Sequence, residues 1–442
     1  MKPAARLRFD QLRTPRKHGE TLVTPPAARW PEVIQHNRML RRGYDFQIGG
    51  RHCRDVYAAS PDAPRLLTGH QPEFFHPGVW AKNVLAAHTA GRLSGEAVFL
   101  VVDNDATHQL ALCWPEQHEN GLRIGELALD PAPAGCTFEQ WPTRTSSEWR
   151  SLWQGLPESV IREHDRPLRH FLESMIDPGG GPPPDARASD YVRRWSAGIG
   201  ALDRALGVAA PAIARVGALA DAAGVSSVSW GAFVTHLLVN AASFAAAYNA
   251  ALRTYRDQKG IRGTHRPIPD LVMRDGRTEA PLWASRPGET RRRVFVETAI
   301  GDRTKIFAGD QPIGEFGADQ SLPTDGALGS WNLRPRALTL TLYARMFLSD
   351  LFIHGLGGAT YDEITDGVIR RFFGVEPPEY ACVTATLRLP IKTYDVRPTH
   401  LASVQRRLRD ARYNPRRLVH WSSSRGSSAA ATGVEPDAWR SL

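Results

Sequence analysis

The segment Thr68–Lys82, TGHQPEFFHPGVWAK, is the part of the chain whose side chains are best suited to chemistry. His70 and His76 can donate or accept a proton, or bind a metal, near neutral pH. Gly69 and Gly78 allow the backbone to approach a ligand closely. We predict His70 and His76 as catalytic residues. The alternative is that both imidazoles only form hydrogen bonds within a rigid loop.

A helix is predicted to begin near Gly78, and its first backbone N–H groups would favour an anion. Lys82 lies one turn inside that helix, within reach of the same anion. The residues of this segment that we predict to bind substrate or nucleotide are Thr68, Gly69, Gln71, Gly78 and Lys82.

A short motif in the same segment points to nucleotide chemistry. His76-Pro77-Gly78 matches the first three positions of the H-x-G-H motif of nucleotidylyltransferases and class I tRNA synthetases. In those families the histidines contact nucleotide phosphates at a strand-to-helix turn. Val79 stands at the fourth position, so the match is partial.

A second cluster, Asp103-Asn104-Asp105 with His108, follows an apolar run. Acidic groups at the end of a strand can bind Mg²⁺, a ribose or a substrate amine. We predict Asp105 and His108 as catalytic, and Asp103 and Asn104 as binding residues. The alternative is a polar loop in which an Asp caps a helix.

A third cluster combines the segment SWNLRPRALT with FIHGLGGATYDEITD. A Gly-rich turn ahead of a helix can hold an anion, although it can equally be a plain turn between helices. The binding residues predicted here are Arg334, His354, Gly357, Gly358, Tyr361 and Asp362. Glu279–Trp283 and Arg291–Arg293 form a further pair of segments, interpreted as an ordinary solvated hairpin. The alternative is a hairpin that offers carboxylate and guanidinium groups to a ligand.

The elements that must position these residues form a β-loop-α-β unit. Arg65–Leu67 is predicted to end a strand, Val79–Leu93 to be a helix, and Ala97–Val102 to be a strand buried on both faces. An uninterrupted apolar run is typical of a parallel sheet covered on both sides. In such sheets functional residues lie at the carboxyl ends of the strands. The first two clusters follow such ends.

The rest of the chain is predicted as an insertion and a return to the core. Helices are expected at Trp30–Arg42, Ser147–Leu156, Pro167–Met175, Tyr191–Leu206, Gly231–Arg256, Leu338–Leu351 and Thr360–Phe373. We predict an α/β fold, a Rossmann-like parallel sheet of nucleotidylyltransferase type with a helical insertion. The predicted parts are 1–146 (N-terminal core), 147–265 (helical insertion), 266–395 (hairpin and remaining core) and 396–442 (a basic helix and a disordered tail).

Composition narrows the classes of protein. The formal net charge is +9, and only six of the 55 basic residues are lysines. An arginine excess is explained either by genome composition or by an anionic small-molecule partner. Basic and aromatic residues do not interleave as in a nucleic-acid-binding module. Four cysteines without a C-x-x-C pair, no secretory signal and no apolar membrane span predict a cytoplasmic protein that binds neither nucleic acid nor membranes.

Three stretches together resemble the cysteine-adding enzyme family of bacillithiol synthesis. That family has a TGQQPGLF-like loop, an apolar strand ending in an E-D-H-D-like segment, and an RP segment leading to a Y-I-G-G-P-x-E-x-x-Y-like turn. The corresponding stretches here are Thr68–Phe74, Val101–Asp105 and Leu333–Pro335 with Phe352–Tyr361. His70 stands where the family has a glutamine, and a long C-terminal coiled coil is not evident. The resemblance implies a Rossmann-type core and condensation of an amino acid with an amino-sugar conjugate.

Three hypotheses for function remain open from the sequence. The first is a ligase- or transferase-like enzyme that joins an amino acid, or a similar amine or carboxylate, to a small-molecule acceptor, using an ATP-like nucleotide and Mg²⁺. The second is a metal-dependent hydrolase with His70, His76, Asp105 and His108 as ligands. The third is a non-catalytic binding protein on the same fold.

Overall fold

The computed structural model describes residues 9–57, 63–106, 110–118, 121–129, 135–158, 160, 167–179, 189–220, 227–262, 268–298, 303–317, 328–389, 391 and 398–414. The chain folds into two compact units, residues 1–388 and residues 389–442.

The strands are β1 Thr21–Thr24, β2 Gln47–Ile48, β3 Arg51–His52, β4 Arg65–His70, β5 Glu96–Val101, β6 Leu110–His118, β7 Gly121–Leu129, β8 Ala212–Arg215, β9 Met273–Arg274, β10 Arg277–Ser285, β11 Arg292–Thr298, β12 Arg303–Ala308, β13 Gln311–Gly317, β14 Asn332–Pro335, β15 Leu351–His354 and β16 Tyr380–Ala385.

The helices are α1 Trp30–Arg42, α2 Cys53–Val56, α3 Pro77–Arg92, α4 Ser146–Trp153, α5 Pro167–Ile176, α6 Asp190–Ala205, α7 Ser227–Val239, α8 Ala241–Lys259, α9 Ala337–Tyr343, α10 Leu356–Phe372 and α11 Pro398–Tyr413. A turn of π-helix, Ala344–Leu348, continues α9. The second unit contributes α11 to the described residues.

The chain is a mixed α/β protein whose main sheet has the order β1-β16-β15-β4-β5-β8. The strands from β16 to β8 are parallel, and β1 is antiparallel to β16 at the edge. The chain starts the parallel part at β4 and builds outwards through β5 to β8. It then returns to the other side of β4 and adds β15 and β16. The direction of growth therefore reverses between β4 and β15.

Helices cover both faces of this sheet. On one face Leu66 and Ile353 pack in a common cluster with Trp30 of α1 and Ala86 of α3. On the other face Leu67 belongs to the largest core cluster, which includes side chains of α7, α8 and α10. Successive residues of a strand point to opposite faces, so strands covered on both sides must be apolar at almost every position. The run Ala97–Val101 in β5 meets this requirement and is buried throughout.

The predicted β-loop-α-β unit is present, with slightly different ends. The strand extends to His70, the helix begins at Pro77, and the second strand ends at Val101. Pro77 at the first helical position fits the start of α3, because its fixed φ suits a helix and its missing N–H would have no helical partner. The predicted helix at Trp30–Arg42 is confirmed residue for residue.

A second sheet is antiparallel and has the order β13-β12-β11-β10-β14, with β9 paired to β10. The predicted hairpin around Pro287-Gly288 is the β10-β11 turn of this sheet. Val294 and Ile306 of this sheet belong to the same core cluster as Leu67 of the parallel sheet. The two sheets therefore share one hydrophobic core within the first unit.

Three details of the predicted elements are wrong. The insertion predicted as helical contains β8, whose Ala-Ile-Ala-Arg sequence pairs with β5 in the main sheet. The single helix predicted at Gly231–Arg256 is two helices that meet at Asn240, where the backbone leaves the helical region. The helix predicted to reach Leu351 ends at Leu348, and β15 begins three residues later. The predicted disordered tail lies outside the described residues.

Within the described residues, no helix taken singly has the length and apolar character to cross a membrane. The helices Ser229–Val239 and Ala241–Lys259 combine that length with that apolar character only as a pair, and they are bent by 87° relative to each other.

Asp350, at the amino end of β15, fixes the central strands to α1. Its buried carboxylate accepts hydrogen bonds from Arg38 Nε at 2.9 Å, Tyr57 Oη at 2.8 Å and the backbone N–H of Arg65 at 2.9 Å. Arg41 adds a further ion pair at 3.2 Å. Burial alone would raise the pKa of Asp350, but these donors together lower it below its usual range.

We predict that Asp350→Ala lowers the free energy of unfolding by about 3–5 kcal/mol, because it leaves buried guanidinium groups without their carboxylate. Urea unfolding measures this loss. The exposed Asp310, which is 91% accessible, provides the control. Asp310→Ala should change stability by less than about 0.5 kcal/mol.

The pH dependence gives a second check on the same variant. The folded pKa of Asp350 is depressed, so its stabilisation is complete above the unfolded pKa of about 4 and is lost as the pH falls through the folded pKa. The stability difference between wild type and Asp350→Ala should therefore shrink in acid. A difference that is small at neutral pH, or that grows in acid, would contradict this assignment.

Candidate functional site

The three predicted clusters lie at the ends of adjacent strands. His70 ends β4, Asp103 follows β5, and His354 ends β15. β4 pairs with β5 in register and with β15 on its other side, all parallel. The N–H of Val102 donates to the carbonyl of His70 at 2.9 Å, so the pairing continues to the strand ends. The structure therefore brings the three stretches to one edge of the sheet, called here the carboxyl edge.

His70 and Lys82 are partly or fully buried at this edge. Lys82 Nζ donates to the carbonyl oxygen of Gly69 at 2.5 Å. Burial and the positive charge of Lys82 lower the pKa of His70 to about 4. Burial also lowers the pKa of Lys82 to about 8, and Cys382 partly opposes that shift. His70 is therefore a neutral imidazole at physiological pH. Lys82 was predicted to reach an anion, but its ammonium group instead supports the end of β4.

His76 caps α3 with its own side chain. Its Nδ1 accepts a hydrogen bond from the N–H of Gly78 at 3.0 Å. Gly78 is tightly packed, because a Cβ atom there would lie 2.4 Å from Oγ1 of Thr384. At the start of α3, where an anion site was predicted, one backbone N–H group thus already donates a hydrogen bond to a side chain. The role of His76 that the geometry supports is an N-cap.

The acidic cluster after β5 is engaged with arginines. Asp103 is fully buried, with Arg215 at 3.1 Å and the N–H of Gly217 at 2.8 Å. Burial and the nearby Glu139 raise the pKa of Asp103 to about 6, although Arg215 acts against them. Asn104 donates from Nδ2 to the carbonyl of Pro335 at 2.9 Å. Its buried Oδ1 has no hydrogen-bond partner among the described residues, so it is an acceptor without a donor.

Asp105 links β4, β5 and the second sheet. Its Oδ2 accepts from Gln71 Nε2 at 2.9 Å, and its Oδ1 faces NH1 of Arg291 at 2.8 Å. The guanidinium of Arg291 lies 4.6 Å from the ring of Trp283, and that of Arg336 lies 4.4 Å from the same ring. A charged and aromatic cluster from the antiparallel sheet therefore stands against the tip of β5.

Arg334, predicted with the third cluster, lies instead with the second. Its Nε donates to Oε2 of Glu139 at 2.9 Å, and both side chains are nearly inaccessible. β14 carries Arg334 and pairs with β10, which accounts for this position. Arg334 is thus a buried partner of Glu139, and Arg291 and Arg336 are the arginines that flank Trp283.

His354 is the last residue of β15 and contacts α10. Its Nε2 lies 3.0 Å from Oδ2 of Asp362. Arg345, from the π-helical turn, binds the same Asp362 oxygen at 2.6 Å and Asp366 Oδ1 at 2.7 Å. The Arg345 guanidinium also lies 4.5 Å from the ring of Tyr380 in β16. Short π-helical turns are often found at functional sites. Here the turn places a buried arginine beneath the carboxyl edge.

The N-terminus of α10 is the less occupied of the two helix starts beside β4. Gly355 is its N-cap residue and supplies no side-chain hydrogen bond. At Gly355 and Gly357 an added Cβ atom would meet no heavy atom of the described residues within 4 Å. The first N–H groups of a helix have no intrahelical partners and favour anions. The geometry therefore suits an anion at the start of α10 better than at the start of α3.

Two predicted binding residues serve other contacts. Thr68 is buried and donates from Oγ1 to Asn83 of α3 at 2.7 Å, which fixes the helix to the strand. Tyr361 is 38% exposed, and its ring faces Tyr255 of α8 at a centroid distance of 6.3 Å. His108, predicted as catalytic, lies outside the described residues. Glu139 and Arg215 were not predicted from the sequence. Only their buried ion pairs identify them, Glu139 with Arg334 and Arg215 with Asp103.

His70, His76 and Asp105 were predicted as metal ligands, but two of these side chains form other contacts. His76 accepts from Gly78, and Asp105 is paired with Gln71 and Arg291. Within the described residues, no group of three or more His, Cys, Asp or Glu side chains could hold a metal ion.

Neither a protein-family model nor a curated protein matches the chain.

We predict that His70 remains neutral until the pH falls to about 4, and that Lys82→Met raises its pKa by removing a neighbouring positive charge. NMR of ¹⁵N-labelled histidines measures both values. The surface variant Lys305→Met should leave the His70 titration unchanged. An unaltered His70 pKa in Lys82→Met would contradict the electrostatic contact.

Proposed function

We propose that the chain is a ligase- or transferase-like enzyme that joins an amino acid, or a similar amine or carboxylate, to a small-molecule acceptor. In this proposal an ATP-like nucleotide places its phosphates at the carboxyl edge between β4 and β15. The observation that carries it is the reversal of strand order between these two strands. Ligands of open α/β sheets bind in the crevice outside the strand ends at such a point.

We also propose that the main sheet is a Rossmann-like core. Counted along the chain, the five parallel strands lie in the order 3-2-1-4-5, with β4 as strand 1 and β15 as strand 4. This is the strand order of Rossmann-like nucleotide-binding sheets. The helical cover on both faces supports the same classification.

The start of α10 is the proposed phosphate site. Its N-cap Gly355 leaves the first N–H groups without a side-chain cap, and the space beside Gly355 and Gly357 is open. The buried Lys82 is close enough to His354 to lower its pKa, so a positive charge lies under this edge. A helix start and a nearby cation both favour phosphate.

The cluster at the tip of β5 is the proposed site for the amine or carboxylate. The unpartnered Oδ1 of Asn104 can accept a hydrogen bond from an amine, and buried polar atoms are normally satisfied. Arg291 and Arg336, both against Trp283, already pair with Asp105 and Glu279, and a substrate carboxylate would share these guanidinium groups. Donor and acceptor groups are therefore both present at the tip of β5, the strand next to β4 in the sheet.

The resemblance to the cysteine-adding family of bacillithiol synthesis supports the same class of reaction. The loop after β4, the acidic segment after β5 and the turn after β15 lie at the carboxyl edge, whereas Leu333–Pro335 lies in β14 of the second sheet. Cysteine and an amino-sugar acceptor are therefore the first substrates to test.

Mg²⁺ was predicted as an accompanying ion, and the described aspartates of this edge are already paired with arginines. Asp103 and Asp105 are paired with Arg215 and Arg291, and Asp362 with Arg345. The metal-dependent hydrolase has no further support, and the non-catalytic binding protein would share the proposed anion site.

We predict that ADP raises the midpoint of thermal unfolding, and that Gly357→Asp abolishes this effect while Gly357→Ala retains it. An aspartate in the first turn of α10 contributes about 0.3–1 kcal/mol to helix stability through the helix dipole, yet repels phosphate. Gly357→Asp and Gly357→Ala change the same position and differ in charge. A loss of ADP binding in Gly357→Asp alone is therefore electrostatic.

Saturation to about 100 times Kd should add about 2.7 kcal/mol of stability to the wild type. Differential scanning fluorimetry over a series of ADP concentrations measures the shift. Equal ADP responses in the wild type and Gly357→Asp, or no response in the wild type, would refute a phosphate site at α10.

A further inference from the structure

His354 holds one imidazole nitrogen in a fixed contact. The side chain is 7% exposed, and its ring packs on Phe352 at 4.5 Å and edge-on to Tyr380 at 5.1 Å between centroids. Its Nε2 faces Oδ2 of Asp362 at 3.0 Å. The ring is therefore constrained by strand neighbours on two sides and by a carboxylate at one nitrogen.

Asp362 is held in its ionised form. Burial would raise its pKa, but Arg345 and His354 outweigh burial and lower the pKa to about 2. An ionised carboxylate can only accept hydrogen bonds. Nε2 of His354 must therefore carry the hydrogen in this contact, which assigns the neutral ring a protonated Nε2 and leaves a lone pair on Nδ1.

Nδ1 of His354 lies at the first turn of α10. A Cβ atom at Gly358 would stand 2.7 Å from it, so any larger residue at that position would press against Nδ1. Nδ1 makes no hydrogen bond with any residue that the structure describes. The side chain of His354 is more than nine-tenths buried, and its acceptor atom Nδ1 thus points to the start of α10. This helix start has no side-chain cap and is the proposed phosphate site.

We infer that His354 is the proton acceptor of this site, receiving at Nδ1 the proton of a hydroxyl or ammonium group of the bound molecule. The electron pair of the broken O–H or N–H bond remains on that group, which becomes the nucleophile. The positive charge gained by the imidazole is balanced by Asp362, and Arg345 holds Asp362 in place. This inference rests on the proposed function, because it assumes a molecule bound at the start of α10.

The charged groups around His354 are consistent with that role. Asp362 raises the pKa of His354, whereas burial, Arg345 and Lys82 lower it, and the balance lies below the usual value. The imidazole is therefore neutral and able to accept a proton at physiological pH. His70 and His76 are less suited, because the Nδ1 of His70 lies 3.0 Å from the carbonyl of Gln71 and that of His76 caps α3.

Carbethoxylation of the full chain by diethyl pyrocarbonate tests the availability of Nδ1. This reagent attacks unprotonated imidazole nitrogens, and peptide mass spectrometry locates the product. We expect His354 to be modified in the wild type and in Gly357→Ala, where the added methyl group meets open space. Gly358→Ala should slow the modification severalfold. Equal rates in Gly357→Ala and Gly358→Ala, or an unreactive His354 in the wild type, would overturn the inference.

NMR of the same full chain with ¹⁵N-labelled histidines measures the tautomer in the wild-type protein, and a variant is needed only for the assignment. The His354 signals, assigned by their loss in His354→Gln, should show hydrogen on Nε2 and none on Nδ1 at neutral pH. Hydrogen on Nδ1 would refute the assignment. If ADP does not stabilise the protein and Nδ1 of His354 carries no hydrogen, only the phosphate site is refuted. If ADP stabilises the protein and Nδ1 carries a hydrogen, only the role of His354 is refuted.

Discussion

The pairing of β15 with β4 is the contact on which the rest of the structure depends. The N–H of Arg65, which begins β4, binds the carboxylate of Asp350, 285 residues later in the chain, just before β15. Once these strands lie side by side, the loops after β4 and β15 must emerge at the same edge. The start of α10, His354 and the acidic segment after β5 then lie along the same edge of the sheet. A proposed site built from three distant stretches is thus a consequence of strand order.

Buried ion pairs between arginine and carboxylate are the second organising feature. Arg215, Arg334, Arg336 and Arg345 each pair with a carboxylate that is nearly or fully inaccessible. Removing one member of such a pair leaves an uncompensated charge in the interior. Part of the arginine excess therefore has a structural explanation in addition to genome composition and anionic ligands. The arginines that remain partly accessible beside the proposed site, Arg291 and Arg336, share the ring of Trp283.

The sequence predicted the β4-α3-β5 unit well, because an apolar strand and a helix with a proline start leave strong local patterns. It missed β8 and β15, since four residues are too few to show a periodicity and each strand is defined by its neighbours. The types of residue at the site were partly predictable, and their partners were not. Nothing local shows that Lys82 turns back to Gly69, or that His354 meets Asp362. Such contacts depend on which strands become neighbours.

A crystal structure of the protein with ADP tests the central claim most directly. The account predicts phosphate oxygens within hydrogen-bonding distance of the backbone N–H groups of Gly357 and Gly358, in the crevice between β4 and β15. Nucleotide bound at another surface of the sheet, with the start of α10 not in contact with phosphate, would contradict it.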